Sequence, residues 1–359
     1  MISKKNIIIA LILVPLLLLF FWPEKKYKAY EVADEFQKQV DSFYLPNVPP
    51  DWSWHYFEAV DGIKLRWGET GNRGAAKATV IIIPGYSATM SMYGEHADML
   101  ARRGYHVVGI DMRGQGGSDR YRDNQPEKLW IDDFKVYSDD LASFIKSIKS
   151  TTKQPIIPIG VSFGGHVAVR MAGEHMDVID YLVLVAPAIV PKTGALSYKK
   201  SKFLIELSRF FGKSNRYLIG EGNWRPFRRD LSVANIDLCA SNPKRLPYRD
   251  VVFTRNSEER VGGVTAQWAG EFLASSEVIN TKAFLSSIDI PITMISAEID
   301  HLVDTNTNQI SCDSIFPNCT RVDVNNSGHC LFQESDEILS IIFNSVDDLL
   351  VFNSKPKAP

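Results

Sequence analysis

Five short, mostly apolar runs, at residues 79–83, 107–110, 156–159, 181–185 and 292–295, constrain this chain more than any other feature of it. Successive strand side chains point to opposite faces, so a run that is apolar at nearly every position suits a strand covered on both sides. Helical stretches lie between the runs. The clearest covers 132–149, with Phe134, Tyr137, Leu141, Ile145 and Ile148 on one stripe. Alternation of this kind predicts an α/β fold: a mostly parallel sheet with helices on both faces. Upstream, residues 54–70 alternate around Asp61-Gly62 and read as a β-hairpin, and a last strand is expected at 321–324. The alternation breaks over about 190–275, which reads as helix and loop. An insert there predicts a helical cap over the carboxyl ends of the strands, where open α/β sheets bind ligands.

Charge adds a second constraint. Over 359 residues, 40 Lys and Arg oppose 42 Asp and Glu, a net charge of −2 that argues against a nucleic-acid binder. The insert is different: its 15 Lys and Arg against 8 Asp and Glu give +7, leaving −9 for the remainder. The four cysteines are too few for a disulfide scaffold and form no C-x-x-C pair, and H-E-x-x-H is absent, so neither metal nor cofactor is expected.

The N-terminus reads as a membrane segment. Lys4 and Lys5 precede a charge-free run from residue 7 to 22 that ends at Pro23. As helix it spans about 24 Å, slightly short of a hydrocarbon core of about 30 Å, which Asn6, Trp22 and the flanking lysines could make up by anchoring at the interfaces. No small residues stand where a signal peptidase would cut, which favours an uncleaved single-pass anchor, of the kind found in a bacterial inner membrane, over a secretory leader. Lys25, Lys26 and Lys28 on the far side leave its orientation open. The expected organisation is an anchor over 1–28, a linker over 29–53 and the α/β domain, with its insert, over 54–353. Cys312 and Cys319 could close a local disulfide if the domain lies outside the cytoplasm; two unpaired thiols are the equal alternative. No feature addresses oligomeric state.

The chemistry is carried by three separated residues. Gly160-Val161-Ser162-Phe163-Gly164 directly follows the run at 156–159 and precedes a helical stretch. Glycines on both flanks permit a turn tight enough to expose the Ser162 hydroxyl at a helix N-terminus, where backbone N–H groups stabilise developing negative charge. A serine needs a base, and the base an orienting carboxylate, in the chain order Ser, acid, His for such a turn. His329, after the last strand, is the expected base. Asp300, after the strand at 292–295, is the expected acid, with Asp304 and Glu298 as competitors on the same loop. His166 and His301 are expected to be structural, and Cys330 a buried thiol. The oxyanion hole is assigned to the backbone N–H groups of Phe163 and Tyr86. Arg113-Gly-Gln-Gly-Gly-Ser118 departs from a phosphate-binding G-x-G-x-x-G and reads as a tight turn.

These residues resemble the α/β-hydrolase superfamily, in the branch of monoglyceride lipases and serine aminopeptidase-like hydrolases. The likeness runs from about Trp54 to the C-terminus through Pro84-Gly85-Tyr86, residues 111–118, 160–164, Asp300 and His329. Within that branch the insert resembles bacterial membrane-associated lysophospholipases, through Gly220-Glu-Gly-Asn-Trp-Arg225, Arg260-Val-Gly-Gly-Val-Thr265 and Trp268. The resemblance implies cleavage of fatty-acyl esters of lysophospholipids or monoacylglycerols, a lipid partner that also agrees with the anchor. Arg225, Arg228, Arg229 and Arg260 of the basic insert are candidates to hold a phosphate head group. A serine aminopeptidase is the alternative within hydrolases, disfavoured by a basic cap; a catalytically silent, membrane-tethered binding module is the alternative outside them.

Overall fold

The computed structural model of the chain describes residues 26–46, 48–194, 196–231 and 239–353. Residues 7–22, where an anchor is expected, lie outside these; among the described residues no helix is long and apolar enough to cross a membrane.

Eight strands form one sheet: β1 (Ser53–Glu58), β2 (Lys64–Thr70), β3 (Thr79–Ile83), β4 (His106–Ile110), β5 (Ile156–Val161), β6 (Leu182–Val185), β7 (Ile292–Ile299) and β8 (Cys319–Gly328). Their spatial order is β1-β2-β4-β3-β5-β6-β7-β8. β1 and β2 form the expected antiparallel hairpin, with Gly62 at φ +86° in its turn, and β2 pairs antiparallel with β4. Every other pairing is parallel. The apolar runs are buried as their composition requires; from Val80 to Ile83 each residue of β3 is fully enclosed.

Helices Lys135–Lys149 and Phe163–Glu174 pack on one another, the second also against β5 and β6. Helices Gly94–Arg102 and Asp336–Asn353 contact β4 and β7, and are joined where Arg103 and Tyr105 hydrogen-bond to Asp347 at 2.8 and 2.6 Å. The stripe from Phe134 to Ile148 is buried as expected, but the helix begins at Lys135 rather than near residue 132. There the Asp133 carboxylate accepts the Lys135 N–H at 2.7 Å and makes the approach a turn.

The connection between β6 and β7 carries the cap, with helices Tyr198–Phe210, Tyr248–Arg255 and Ala266–Ile279. The last of these runs beyond residue 275, where the insert was expected to end, and packs on Phe163–Glu174. Residues 29–53, expected as a linker, contain the helix Asp34–Ser42. Its Phe36 and Val40 are buried against Val251 of the cap.

Candidate active site

Ser162 stands between β5 and the helix it opens, at φ +51°, a left-handed conformation unfavourable for a residue with a Cβ. Backbone bonds hold it there: its N–H donates to the Val185 carbonyl at 2.9 Å, and its own carbonyl accepts from His166 and Ala188 at 3.1 and 3.0 Å. Both motif glycines are required by close approach. A Cβ at Gly160 would fall 2.7 Å from the Gly165 Cα, and one at Gly164 would strike the Ile83 carbonyl oxygen.

His329 and Asp300 leave adjacent strands side by side. The register of β7 and β8 slips between Ala297 and Ile299, after which Ile299 is paired with Gly328. Asp300 and His329 are the next residues on each chain. The irregularity re-aims both of them, as strand bulges do. The His329 Nδ1–H donates to Asp300 Oδ2 at 2.6 Å, and Nε2 accepts the Ser162 hydroxyl at 2.8 Å. The second oxygen of Asp300 accepts the Leu302 and Val303 N–H groups at 2.8 and 3.0 Å. Burial by itself would raise the Asp300 pKa. The hydrogen bond and charge of His329, with the two backbone donors, outweigh it and hold the carboxyl below its usual range.

The other candidates on this loop are employed otherwise. Asp304 caps the helix Thr305–Ile310, accepting from the Asn306 and Thr307 N–H groups. Glu298 accepts the Asn326 N–H at 2.6 Å, and His301 is exposed. His166 is enclosed beneath the site, donating from Nδ1 to the Ala188 carbonyl and accepting the Ser275 hydroxyl on Nε2. Burial drives its pKa down to about 3.

Phe163 is the first residue of its helix, so its N–H has no intrahelical acceptor. Facing it is the loop Pro84-Gly85-Tyr86, close enough that a Cβ on Gly85 would sit 3.5 Å from the Ser162 Cβ. The loop is fixed from three directions. Gln115 accepts the Ser87 N–H at 2.6 Å, and the Tyr86 and Ser87 hydroxyls donate to the cap carbonyls of Gly262 and Val261 at 2.8 and 3.2 Å. Residues 113–118 form a tight turn around the buried Asp111, whose carboxylate accepts from Met90 N, Gly117 N and Arg66 Nε.

Two of the four cap arginines, Arg228 and Arg260, are engaged by backbone carbonyls. Arg260 is a correction: it is buried, with Nε donating to the Phe253 carbonyl at 2.7 Å, Nη1 to the Tyr30 carbonyl at 3.1 Å, and its plane over Trp224. Arg228 donates to the Leu246 carbonyl, while Arg225 and Arg229 are exposed. The guanidinium that reaches the loop after β3 belongs to Arg249, whose Nε and Nη2 stand 3.2 and 3.1 Å from the Ser87 hydroxyl. It stacks 4.0 Å from the Phe227 ring, and Nη1 has no hydrogen-bond acceptor among the described residues, with Asp250 Oδ1 at 3.6 Å. Nothing in its sequence neighbourhood separates Arg249 from the other basic residues; only the fold does.

Among the described residues one group has metal-like spacing, Asp139, Glu174 and His175. It lies at the opposite end of the helix from Ser162. His175 is already bonded to Asp139 at 2.9 Å, and Glu174 takes Ser138 and Arg170.

A model of one protein family, described as serine aminopeptidase S33, matches residues 74–336. The chain is 26% identical over 281 residues to a protein named probable lysophospholipase L2 from Haemophilus influenzae, covering 77% of this chain and 84% of that one. It is also 26% identical to lysophospholipase L2 of Escherichia coli K12, over 65% and 67% of the two chains. A soluble variant of monoglyceride lipase from Saccharomyces cerevisiae, solved with a substrate analogue, shares the fold at a TM-score of 0.65 and 16% identity, over 88% of this chain and 99% of that one. With the family model covering well over half of its length, the chain belongs to the serine aminopeptidase S33 family of hydrolases, built on the α/β-hydrolase fold.

Proposed function

We propose that this protein is a carboxylic ester hydrolase that cleaves fatty-acyl esters of lysophospholipids or monoacylglycerols through an acyl-enzyme. The observation that carries the reading is the strained Ser162, its hydroxyl 2.8 Å from an imidazole that is itself held at 2.6 Å by a buried carboxylate. His329 removes the Ser162 proton as Oγ attacks the ester carbonyl. Asp300 keeps the other ring nitrogen protonated and stabilises the imidazolium. The Phe163 and Tyr86 amides receive the oxyanion, and the alcohol leaves with the proton from His329. Water, activated by the same base, then releases the fatty acid.

A lipid substrate is supported by the relatives named lysophospholipase and by the surface of the cap. Phe203, Leu204, Phe210 and Phe211 are exposed there, close in sequence to Lys199, Lys200 and Lys202, as is Phe227 beside Arg225, Arg228 and Arg229. Such a mixture of aromatic and basic side chains suits a lipid–water interface. Arg249, beside the oxyanion loop, is the cap cation suited to a phosphate. Two disulfides, Cys239–Cys330 and Cys312–Cys319, use all four cysteines, which fits a domain facing an oxidising compartment and tethered by its N-terminal segment.

The family description favours one other reading, an aminopeptidase, which requires free carboxylates to receive the substrate ammonium. Glu259 of the cap is instead occupied by Arg66, Thr89 and Ser91. The deciding experiment assays lysophospholipids, monoacylglycerols and aminoacyl amides with wild type and Ser162→Ala. Lipid-ester turnover lost by on the order of 10⁶-fold in the variant is expected. Amide turnover without ester turnover would select the aminopeptidase. For Arg249→Gln the expected change is a higher KM for the phosphate-bearing substrate than for the neutral one.

A further inference from the structure

Among the described residues the imidazole of His329 makes only the two hydrogen bonds to Asp300 and Ser162, so its position depends on the backbone on either side of it. Both neighbours are tied to one segment of the cap. On the C-terminal side Cys330 is disulfide-bonded to Cys239, with the Cα atoms 4.9 Å apart, and its N–H donates to the Cys239 carbonyl at 2.6 Å. On the N-terminal side the Gly328 N–H donates to Glu334 Oε1 at 3.1 Å. The other oxygen of that fully buried carboxylate accepts the Ser241 N–H at 3.0 Å and the Ser241 hydroxyl at 2.6 Å. The Glu334 carbonyl in turn accepts from Asn242 Nδ2 at 3.1 Å and Arg245 Nη1 at 2.6 Å. A stretch of four residues, 239–242, therefore grips the chain immediately before and after the base. No step of the proposed reaction uses any of these groups.

We infer that residues 239–242 form a positioning strap for His329, and that the Cys239–Cys330 bond makes turnover dependent on redox state. The inference rests on the assignment of His329 as the base. One end of the strap is covalent and the other runs through Glu334, so reduction removes the covalent link at the first, leaving a backbone hydrogen bond there, and does not touch the second. A dithiol reductant breaks the Sγ–Sγ bond, delivering two electrons and two protons to give two thiols, and itself closes to a cyclic disulfide. The Cys330 side of the base is then restrained by non-covalent contacts, among them the Cys330 N–H on the Cys239 carbonyl at 2.6 Å and, two residues on, the His96 Nε2–H donated to the Phe332 carbonyl at 2.6 Å. Catalysis tolerates little misplacement of a reacting group: about 1 Å can cost on the order of a hundredfold. Substrate binding by the cap and oxyanion loop does not pass through this bond.

The second disulfide supplies the control. Cys312–Cys319 spans only seven residues between the helix Thr305–Ile310 and the start of β8, at the opposite end of that strand from His329. The test measures kcat, KM and the rate of fluorophosphonate labelling on a soluble short-chain ester. It uses wild type, Cys312→Ser/Cys319→Ser and Cys239→Ser/Cys330→Ser, each before and after dithiothreitol, with near-UV circular dichroism confirming a native fold at the assay temperature. Wild type and Cys312→Ser/Cys319→Ser should lose about ten- to a hundredfold in kcat on reduction, with KM little changed, and regain it on reoxidation. Cys239→Ser/Cys330→Ser should start at the lower value and not respond. Should that double variant fail to fold, reduction of the folded wild type and Glu334→Gln, which keeps the disulfide but loses one acceptor, carry the test. Full kcat in Cys239→Ser/Cys330→Ser, or in reduced folded wild type, overturns the strap. So does a sensitivity abolished by Cys312→Ser/Cys319→Ser. Failure of the underlying assignment looks different: ester turnover would then survive His329→Ala in the oxidised protein.

Discussion

Two aspartates four positions apart, Asp300 and Asp304, show how backbone geometry divides labour between identical side chains. Asp300 follows β7 directly and meets the imidazole. Asp304 already lies at a helix start, with its carboxylate spent on the Asn306 and Thr307 N–H groups and the Thr307 hydroxyl. Asp300→Asn keeps the shape of the site but offers an amide to His329 Nδ1, favouring the wrong tautomer, and should lower kcat by about 10⁴-fold. Asp304→Asn should leave kcat near wild type and change stability by at most about 1 kcal/mol, since asparagine also caps helices. Steady-state assays with urea denaturation on both variants check the pair. Comparable loss of turnover in the two would remove Asp300 from its role. At this scale the sequence reads well wherever placement is local. Ser162 is legible because its glycines, strand and helix are neighbours in the chain, and His329 and Asp300 because each follows a strand. Arg260 misleads because its partners, Phe253 and Tyr30, include one more than two hundred residues away.

At the scale of elements, the parallel strands are legible because full burial leaves an unbroken apolar run. The polar part of what holds the cap to the sheet is not, because the partners of those groups are set only by the fold; beside it Trp268 and Phe272 of the cap pack on Phe134 and Phe163. The clearest case is the arginine on β2. Arg66 donates to Asp111 beneath the turn at 113–118 and to Glu259 at the end of the cap helix region, at 2.7 Å each, and to Thr89 at 2.9 Å. Its carboxylate partners are almost completely enclosed. Removing the cation leaves two buried anions facing one another. Arg66→Gln should therefore destabilise by roughly 3–5 kcal/mol, far more than an exposed ion pair is worth. Urea unfolding of Arg66→Gln measures this. A loss below about 1 kcal/mol would place the cap's attachment elsewhere. The Cys239–Cys330 pairing is hidden for a related reason, since its partners are 91 residues apart and four cysteines admit three connectivities.

Across the whole molecule, two enclosed histidines join parts that the strands alone do not. His96, on the helix Gly94–Arg102, donates from Nε2 to the carbonyl of Phe332, three residues beyond His329. His166, behind Ser162, takes the hydroxyl of Ser275 from the cap. Burial pushes their pKa values down to about 4 and about 3, so both stay neutral in the folded protein at any pH near neutrality. In the unfolded chain a histidine titrates near 6.5. Above that value neither state binds the proton and stability is independent of these groups. Below it the unfolded chain gains protons that the folded one refuses, and each residue withdraws about 1.4 kcal/mol of stability per pH unit until its folded pKa is reached. Asp300, depressed in the fold, adds a loss in the same direction only at lower pH, below the ordinary carboxylate range. The expected result is a urea midpoint that declines between pH 6.5 and 5, before carboxylates protonate. His96→Gln, whose amide still donates to Phe332 but does not titrate, should flatten that decline. A midpoint with the same slope in wild type and variant would show that His96 carries none of it.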